Sequence, residues 1–118
     1  KHAEGYSTSA LKHGPFALIE PDLPIILLDV DDNCREKTLN AFNEIQTRKA
    51  NIIVITDEPN NYHNLNIPIE NILSIENNSI YGGIISNVYI QVLSYYLSLR
   101  YGYNPDFPRN LAKVVTVE

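Results

Sequence analysis

Two nearly continuous apolar runs constrain the fold of this chain more than any other feature. Residues 24–30 read Pro-Ile-Ile-Leu-Leu-Asp-Val, and residues 51–56 read Asn-Ile-Ile-Val-Ile-Thr. Apolar runs of this length without alternation are typical of strands that are buried on both faces of a parallel sheet. Between the two runs, Leu39, Phe42 and Ile45 recur at helical spacing. The pattern predicts a strand–helix–strand unit of an α/β fold.

The remaining segments extend this pattern toward the C-terminus. Residues 57–66 are rich in Asn and predict a loop, and residues 69–75 predict a third, short strand. Gly82-Gly83 precedes apolar residues at steps of three and four, which predicts a helix that ends near Gly102. A helix entry explains Gly82-Gly83 better than a phosphate-binding loop does, because no clear strand precedes the pair. The chain is therefore predicted to form a parallel sheet with crossover helices.

Charge and composition narrow the possible partners. The net charge is −5 with both signs scattered along the chain, which argues against a nucleic-acid or anionic-membrane surface. No apolar run reaches the length of a membrane span. Cys34 is the only cysteine, so no internal disulfide is possible and a cytoplasmic location is expected. The histidines His2, His13 and His63 are not spaced as metal ligands, and we expect neither a metal nor another cofactor.

Two residues stand out as candidates for chemistry. His13 is followed by Gly14 and Pro15, so its imidazole can project from a constrained corner and exchange protons near neutral pH. A histidine beside such a break is more often structural. Lys113 follows a segment stiffened by two prolines, and a lysine there is either solvated or, if its pKa is lowered, a carbonyl nucleophile. Spacing alone leaves both alternatives open for each residue.

Three stretches resemble one known family. Residues 108–118 read Pro-Arg-Asn-Leu-Ala-Lys-Val-Val-Thr-Val-Glu, residues 11–19 read Leu-Lys-His-Gly-Pro-Phe-Ala-Leu-Ile, and residues 90–95 read Ile-Gln-Val-Leu-Ser-Tyr. With these stretches the chain resembles the glutamine–fructose-6-phosphate aminotransferases, also called glucosamine-6-phosphate synthases. The similarity is to the end of their isomerase half, which is built from two sugar isomerase (SIS) subdomains. The tail is the most specific of the three, since His-Gly-Pro is shared more widely among SIS proteins.

The resemblance implies a fold, a division of the chain and a site. The fold would be a partial SIS-type, flavodoxin-like parallel sheet with an extended C-terminal tail. Residues 1–103 would be the C-terminal portion of the second SIS subdomain, and residues 104–118 the catalytic tail. By resemblance, Lys113 forms a Schiff base with the ketose carbon and His13 assists the opening of the sugar ring. Leu111 and Ala112 would line the sugar pocket and the ammonia path.

The resemblance also implies partners. The family converts fructose-6-phosphate and glutamine-derived ammonia to glucosamine-6-phosphate, and its histidine reaches into the partner subunit's site, so a homodimer is expected. The glutaminase domain and the first SIS subdomain, which binds the phosphate, have no counterpart in these residues, and the chain alone is expected to be inactive. The chain departs from the family pattern at Ser9-Ala10, where Gly-Glu is usual, and at Tyr89, where proline is usual.

Two alternatives remain from the sequence. The first is a glucosamine-6-phosphate deaminase or amino-sugar deglycase of the SIS type, which needs no glutaminase. The second is a non-catalytic SIS module that binds a phosphosugar. The presence of both Lys113 and His13 argues against the second alternative, and Ala10 argues mildly for it.

Overall fold

The computed structural model describes residues 2–31, 33–78 and 80–107 of the chain. Its strands and longer helices are β1 (Pro24–Asp29), α1 (Arg35–Gln46), β2 (Asn51–Thr56), β3 (Ile72–Ser74) and α2 (Gly82–Arg100). Short 3-10 helices occupy Ala10–His13, Pro15–Leu18, Pro59–Asn61 and Ile69–Asn71. The chain divides into two compact units, Lys1–Ser86 and Asn87–Glu118.

The three strands form one parallel sheet in the order β1-β2-β3. Pro24 of β1 pairs with Asn51 of β2, and Asp29 pairs with Thr56, so the two strands end side by side. Val54 of β2 pairs with Ile72 of β3. The predicted α/β class with a parallel sheet is confirmed, and both longer helices lie where the apolar periodicity placed them.

The core of the first unit lies between the sheet and α1. Helix α1 turns Phe42 and Ile45 toward the sheet, because apolar residues three and four apart share one face of a helix. The buried side chains that form the central cluster are Leu27, Phe42, Ile45, Ile52, Val54 and Tyr62. Partly buried side chains of the N-terminal segment, among them Leu11, Phe16 and Ile19, pack against this cluster and fasten that segment to the core.

Strand β1 differs from the prediction that it is buried on both faces. Leu27 and Asp29 on one face are buried, whereas Ile26 and Leu28 on the other face are 36% and 40% exposed. In the part of the chain that the structure describes, β1 lies at an edge of the sheet and β2 occupies the centre, so fewer neighbouring side chains cover β1. Among the described strands, the central strand β2 comes closest to the continuous burial that its sequence predicts, with Val54 and Ile55 both buried.

Strand β3 is shorter than predicted. Residues Ile69–Asn71 form a 3-10 helix after Pro68, and the strand is confined to Ile72–Ser74. The Asn71 side chain donates hydrogen bonds to the Ile52 carbonyl at 2.9 Å and to Asn51 Oδ1 at 3.1 Å. These bonds tie the entry of β3 to the start of β2, where a longer strand would have continued the backbone ladder.

Helix α2 begins at Gly82 and ends at Arg100, two residues before Gly102, in agreement with the predicted end near that glycine. A Cβ on Gly82 would lie 3.1 Å from both the Cβ and the carbonyl oxygen of Val30, so the helix start approaches the end of β1 closely. At the other end, Gly102 has φ of 73° and its N–H donates to the Leu99 carbonyl, while Tyr103 N–H donates to the Ser98 carbonyl. This arrangement is a Schellman-type C-cap, which requires a left-handed residue.

The described part of the chain contains no helix with both the length and the hydropathy needed to span a bilayer.

Candidate functional site

The candidate histidine lies on a sharp corner between two short 3-10 helices. Ala10–His13 forms the first, Pro15–Leu18 forms the second, and we call residues 10–18 the His13 corner. Gly14 between them has φ of 145° and ψ of −53°, which L side chains rarely adopt. The Ala17 N–H closes the second turn on the Gly14 carbonyl at 2.9 Å. Glycine is therefore required at this position by its backbone conformation.

Two contacts with the end of α1 fasten the His13 corner on either side of the histidine. On one side, Lys12 Nζ lies 2.7 Å from Glu44 Oε1. On the other side, the Arg48 guanidinium lies over the ring of Phe16, with 4.3 Å between its carbon and the ring centroid. Arg48 in turn donates a hydrogen bond from Nη1 to the Glu44 carbonyl at 2.7 Å.

The His13 side chain itself is exposed. An exposed imidazole on a backbone held from both sides can meet a ligand without rearrangement of the core, which suits general acid–base chemistry. The other residues predicted for the site, Leu111, Ala112 and Lys113, lie outside the described residues.

A second cluster of polar side chains lies at the carboxyl ends of β1 and β2. Asp29 Oδ2 accepts hydrogen bonds from Tyr62 Oη at 2.9 Å and from Arg35 Nη1 at 3.1 Å. The Thr56 hydroxyl lies 3.5 Å from the same oxygen, at the limit of hydrogen-bond distance. Arg35 Nη2 also donates to Asp57 Oδ1 at 2.8 Å, so one guanidinium joins both carboxyl groups.

Burial governs the electrostatics of this Asp29 cluster. The Asp29 residue is 1% exposed, and burial raises the pKa of its carboxyl group against the opposing effects of the Tyr62 hydrogen bond and the Arg35 charge. Burial likewise raises the pKa of Tyr62, as does the charge on Asp29. Among the described residues, Asp29 Oδ1 has no hydrogen-bond partner. A side chain with so little exposure has no direct access to a ligand, so the cluster ties together the two strand ends and the loop that follows β2.

The Asp29 cluster was not among the sites predicted from the sequence. One signal was available, because Asp29 interrupts the first apolar run and Thr56-Asp57 ends the second. The carboxyl ends of neighbouring parallel strands lie at one edge of the sheet. These side chains must therefore lie close together once the two strands pair in register. Tyr62 carried no such signal, since nothing local to an Asn-rich loop indicates a buried hydroxyl.

Comparisons with known proteins identify relatives over nearly the whole chain. A protein of Acanthamoeba polyphaga mimivirus, described as "Probable glutamine--fructose-6-phosphate aminotransferase [isomerizing]", is 46% identical over 99% of this chain. A Rhizobium meliloti glutamine–fructose-6-phosphate aminotransferase is 38% identical over the same share. In each case the match covers 19% of the relative, so the chain spans about a fifth of the length of these proteins.

The fold has a counterpart among solved structures. The C-terminal domain of a glucosamine-fructose-6-phosphate aminotransferase from Francisella tularensis superposes with a TM-score of 0.77 and 25% sequence identity. The superposition covers 87% of this chain and 29% of that one. A family model described as "SIS domain" matches residues 1–100, which include the sheet, α1 and the His13 corner. The chain therefore belongs to the SIS domain family.

Proposed function

We propose that this chain is part of the isomerase domain of a glutamine–fructose-6-phosphate aminotransferase. One observation carries the proposal, namely that relatives with this name align over 99% of the chain. Their names favour the aminotransferase over a deaminase, a deglycase or a binding module. The reaction would convert fructose-6-phosphate and glutamine-derived ammonia to glucosamine-6-phosphate and water, the entry into amino-sugar synthesis.

In this proposal Lys113 supplies the covalent step. Its neutral amine adds to the C2 carbonyl carbon of the open-chain ketose, and the carbonyl oxygen leaves as water to form an imine. Ammonia then replaces the lysine at C2 before isomerisation to the aldose. Leu111 and Ala112, next to Lys113 in the sequence, would line the pocket and the ammonia path. Residues 104–118 would thus act as a catalytic tail, and residues 1–103 as the end of the second SIS subdomain.

His13 would act before the covalent step. The ketose carbonyl is masked in the furanose ring, and ring opening requires a proton to be delivered to the ring oxygen and one to be removed from the anomeric hydroxyl. The exposed imidazole on the constrained His13 corner suits that exchange. In a homodimer this histidine would serve the site of the partner subunit. We further propose a cytoplasmic location, with the glutaminase domain and first SIS subdomain supplied by a longer protein.

Trapping of the imine tests the proposal. The full-length protein is incubated with fructose-6-phosphate and borohydride, which reduces an imine to a stable amine, and the modified peptide is located by mass spectrometry. We expect an adduct on Lys113 and its loss in a Lys113→Arg variant, with Lys37→Arg as the matched control on the exposed surface of α1. An adduct at another lysine, or none in an enzyme that makes glucosamine-6-phosphate, would contradict the assigned role.

A further inference from the structure

Two contacts hold the His13 corner, the Lys12–Glu44 ion pair and the Arg48–Phe16 contact, and we call them together the bracket. The proposed chemistry does not by itself explain why they are present. The two fastening contacts fall on Lys12 and Phe16, the residues that flank His13, Gly14 and Pro15. Both contacts lead to the C-terminal end of α1 and the turn after it. The three residues between the contacts include Gly14, whose φ of 145° L side chains rarely adopt. The bracket therefore restrains the part of the chain where the backbone changes direction, next to His13.

Arg48 is the residue that joins the two sides of the bracket. Its backbone N–H donates to the Ile45 carbonyl at 3.0 Å, and its Nη1 donates to the Glu44 carbonyl at 2.7 Å. The backbone bond fixes residue 48 at the helix end and the Nη1 bond directs its side chain, so that the guanidinium lies over the Phe16 ring. A guanidinium is suited to this task because it stacks on a ring face and donates hydrogen bonds in its own plane at once.

The bracket is a weak contributor to the stability of the fold. The Lys12 and Glu44 side chains are 64% and 36% exposed, and exposed ion pairs add little to folding. The apolar side chains of Leu11 and Ile19, which take no part in the bracket, attach the same segment to the core. Loss of the bracket would therefore leave the segment attached while the corner between its attachment points gains freedom.

We propose that Arg48 and Glu44 are positioning residues, which hold the His13 imidazole in the position needed for ring opening. This inference rests on the proposed function. Proton transfer requires the imidazole nitrogen within hydrogen-bond reach of the sugar oxygen. A displacement of about 1 Å at such a site can reduce a rate by about a hundredfold. Arg48 itself touches no reacting atom in this account, because it acts through Phe16 and the backbone of the corner.

The experiment compares two substrates in the full-length enzyme. Fructose-6-phosphate enters as a closed ring, whereas 5-deoxyfructose-6-phosphate lacks the hydroxyl that closes the furanose and enters as the open chain. We expect Arg48→Ala to lower kcat/KM for fructose-6-phosphate by about tenfold and to leave the value for the analogue within about twofold of the parent. Arg48→Lys keeps the charge but not the planar guanidinium. Its kcat/KM for fructose-6-phosphate should lie between the values of Arg48→Ala and the parent enzyme. Lys37→Ala on the exposed face of α1 should change neither value.

The outcomes separate this inference from the function on which it rests. His13→Asn should show the same selective loss as Arg48→Ala, only larger. Suppose that His13→Asn lowers kcat/KM for fructose-6-phosphate alone, whereas Arg48→Ala lowers kcat/KM for both substrates equally or for neither. Then His13 opens the ring and the positioning role of Arg48 is wrong. If His13→Asn itself lowers kcat/KM equally for both substrates, the ring-opening role of His13 is wrong, and the inference about Arg48 is wrong with it.

Discussion

The Tyr62 hydroxyl donates a hydrogen bond of 2.9 Å to Asp29 Oδ2, although the two residues are 33 positions apart in the chain. Both residues are almost completely inaccessible to solvent. The Tyr62 ring also packs edge-on against Phe42, with 5.3 Å between the ring centroids. One side chain thus joins the end of β1, the helix α1 and the loop after β2, which makes it the best place to probe how the strand ends are held.

Removal of the Tyr62 hydroxyl should destabilise the fold without disturbing the core. Tyr62→Phe keeps the ring contact with Phe42 but deprives Asp29 of one of its donors. We expect the free energy of unfolding to fall by about 1–3 kcal/mol, measured by urea denaturation. Tyr96→Phe is the matched control. Because Tyr96 is 64% exposed, its substitution should leave the free energy of unfolding almost unchanged. Equal effects of the two substitutions would show that the buried hydrogen bond contributes nothing.

The raised pKa of Asp29 predicts a particular dependence of stability on pH. Above the ordinary carboxyl pKa of 3.8, the unfolded chain releases this proton while the folded chain still holds it. The folded state then binds more protons than the unfolded state, so the contribution of Asp29 to stability falls as pH rises from about 3.8 through the raised pKa.

Asp29→Asn isolates this dependence. The amide cannot titrate, so the free energy of unfolding of the parent chain, minus that of the variant, should decrease as pH rises through this window. A difference for Asp29→Asn that instead grows with pH would mean that Arg35 and Tyr62 outweigh burial and lower the pKa of this carboxyl group.

The two glycines at the start of α2 should respond oppositely to alanine. At Gly83 no atom lies within 4 Å of an added Cβ, so Gly83→Ala should stabilise the helix by about 0.5 kcal/mol. At Gly82 the added Cβ would meet Val30 at 3.1 Å, including its backbone oxygen, which cannot rotate away. Gly82→Ala should therefore destabilise by about 1 kcal/mol. Thermal unfolding of both variants checks the difference, and a stabilised Gly82→Ala would refute the close approach.

The 118-residue chain alone should not make glucosamine-6-phosphate. It spans about a fifth of its relatives, and by resemblance the phosphate site lies outside it. We expect no product from fructose-6-phosphate and ammonia in a coupled assay, under conditions in which the full-length enzyme is active. Turnover by the purified chain would mean that these residues contain a complete site.

The sequence by itself determined the order and type of the main elements. Continuous apolar runs identified β1 and β2, helical spacing identified α1 and α2, and glycines marked both ends of α2. These signals are local, because each depends on residues within a few turns or one strand of each other. The motif Lys-His-Gly-Pro likewise predicted the constrained corner, where Gly14 has positive φ.

Only the tertiary structure decided what these elements bring together. The exposure of Ile26 and Leu28 follows from the edge position of β1, and strand order is not encoded in the strand's own residues. The contact of Arg48 with Phe16 joins residues 32 positions apart, and the bond of Tyr62 to Asp29 joins residues 33 apart. Such pairs depend on the packing of distant segments in space, and local periodicity carries no information about that packing.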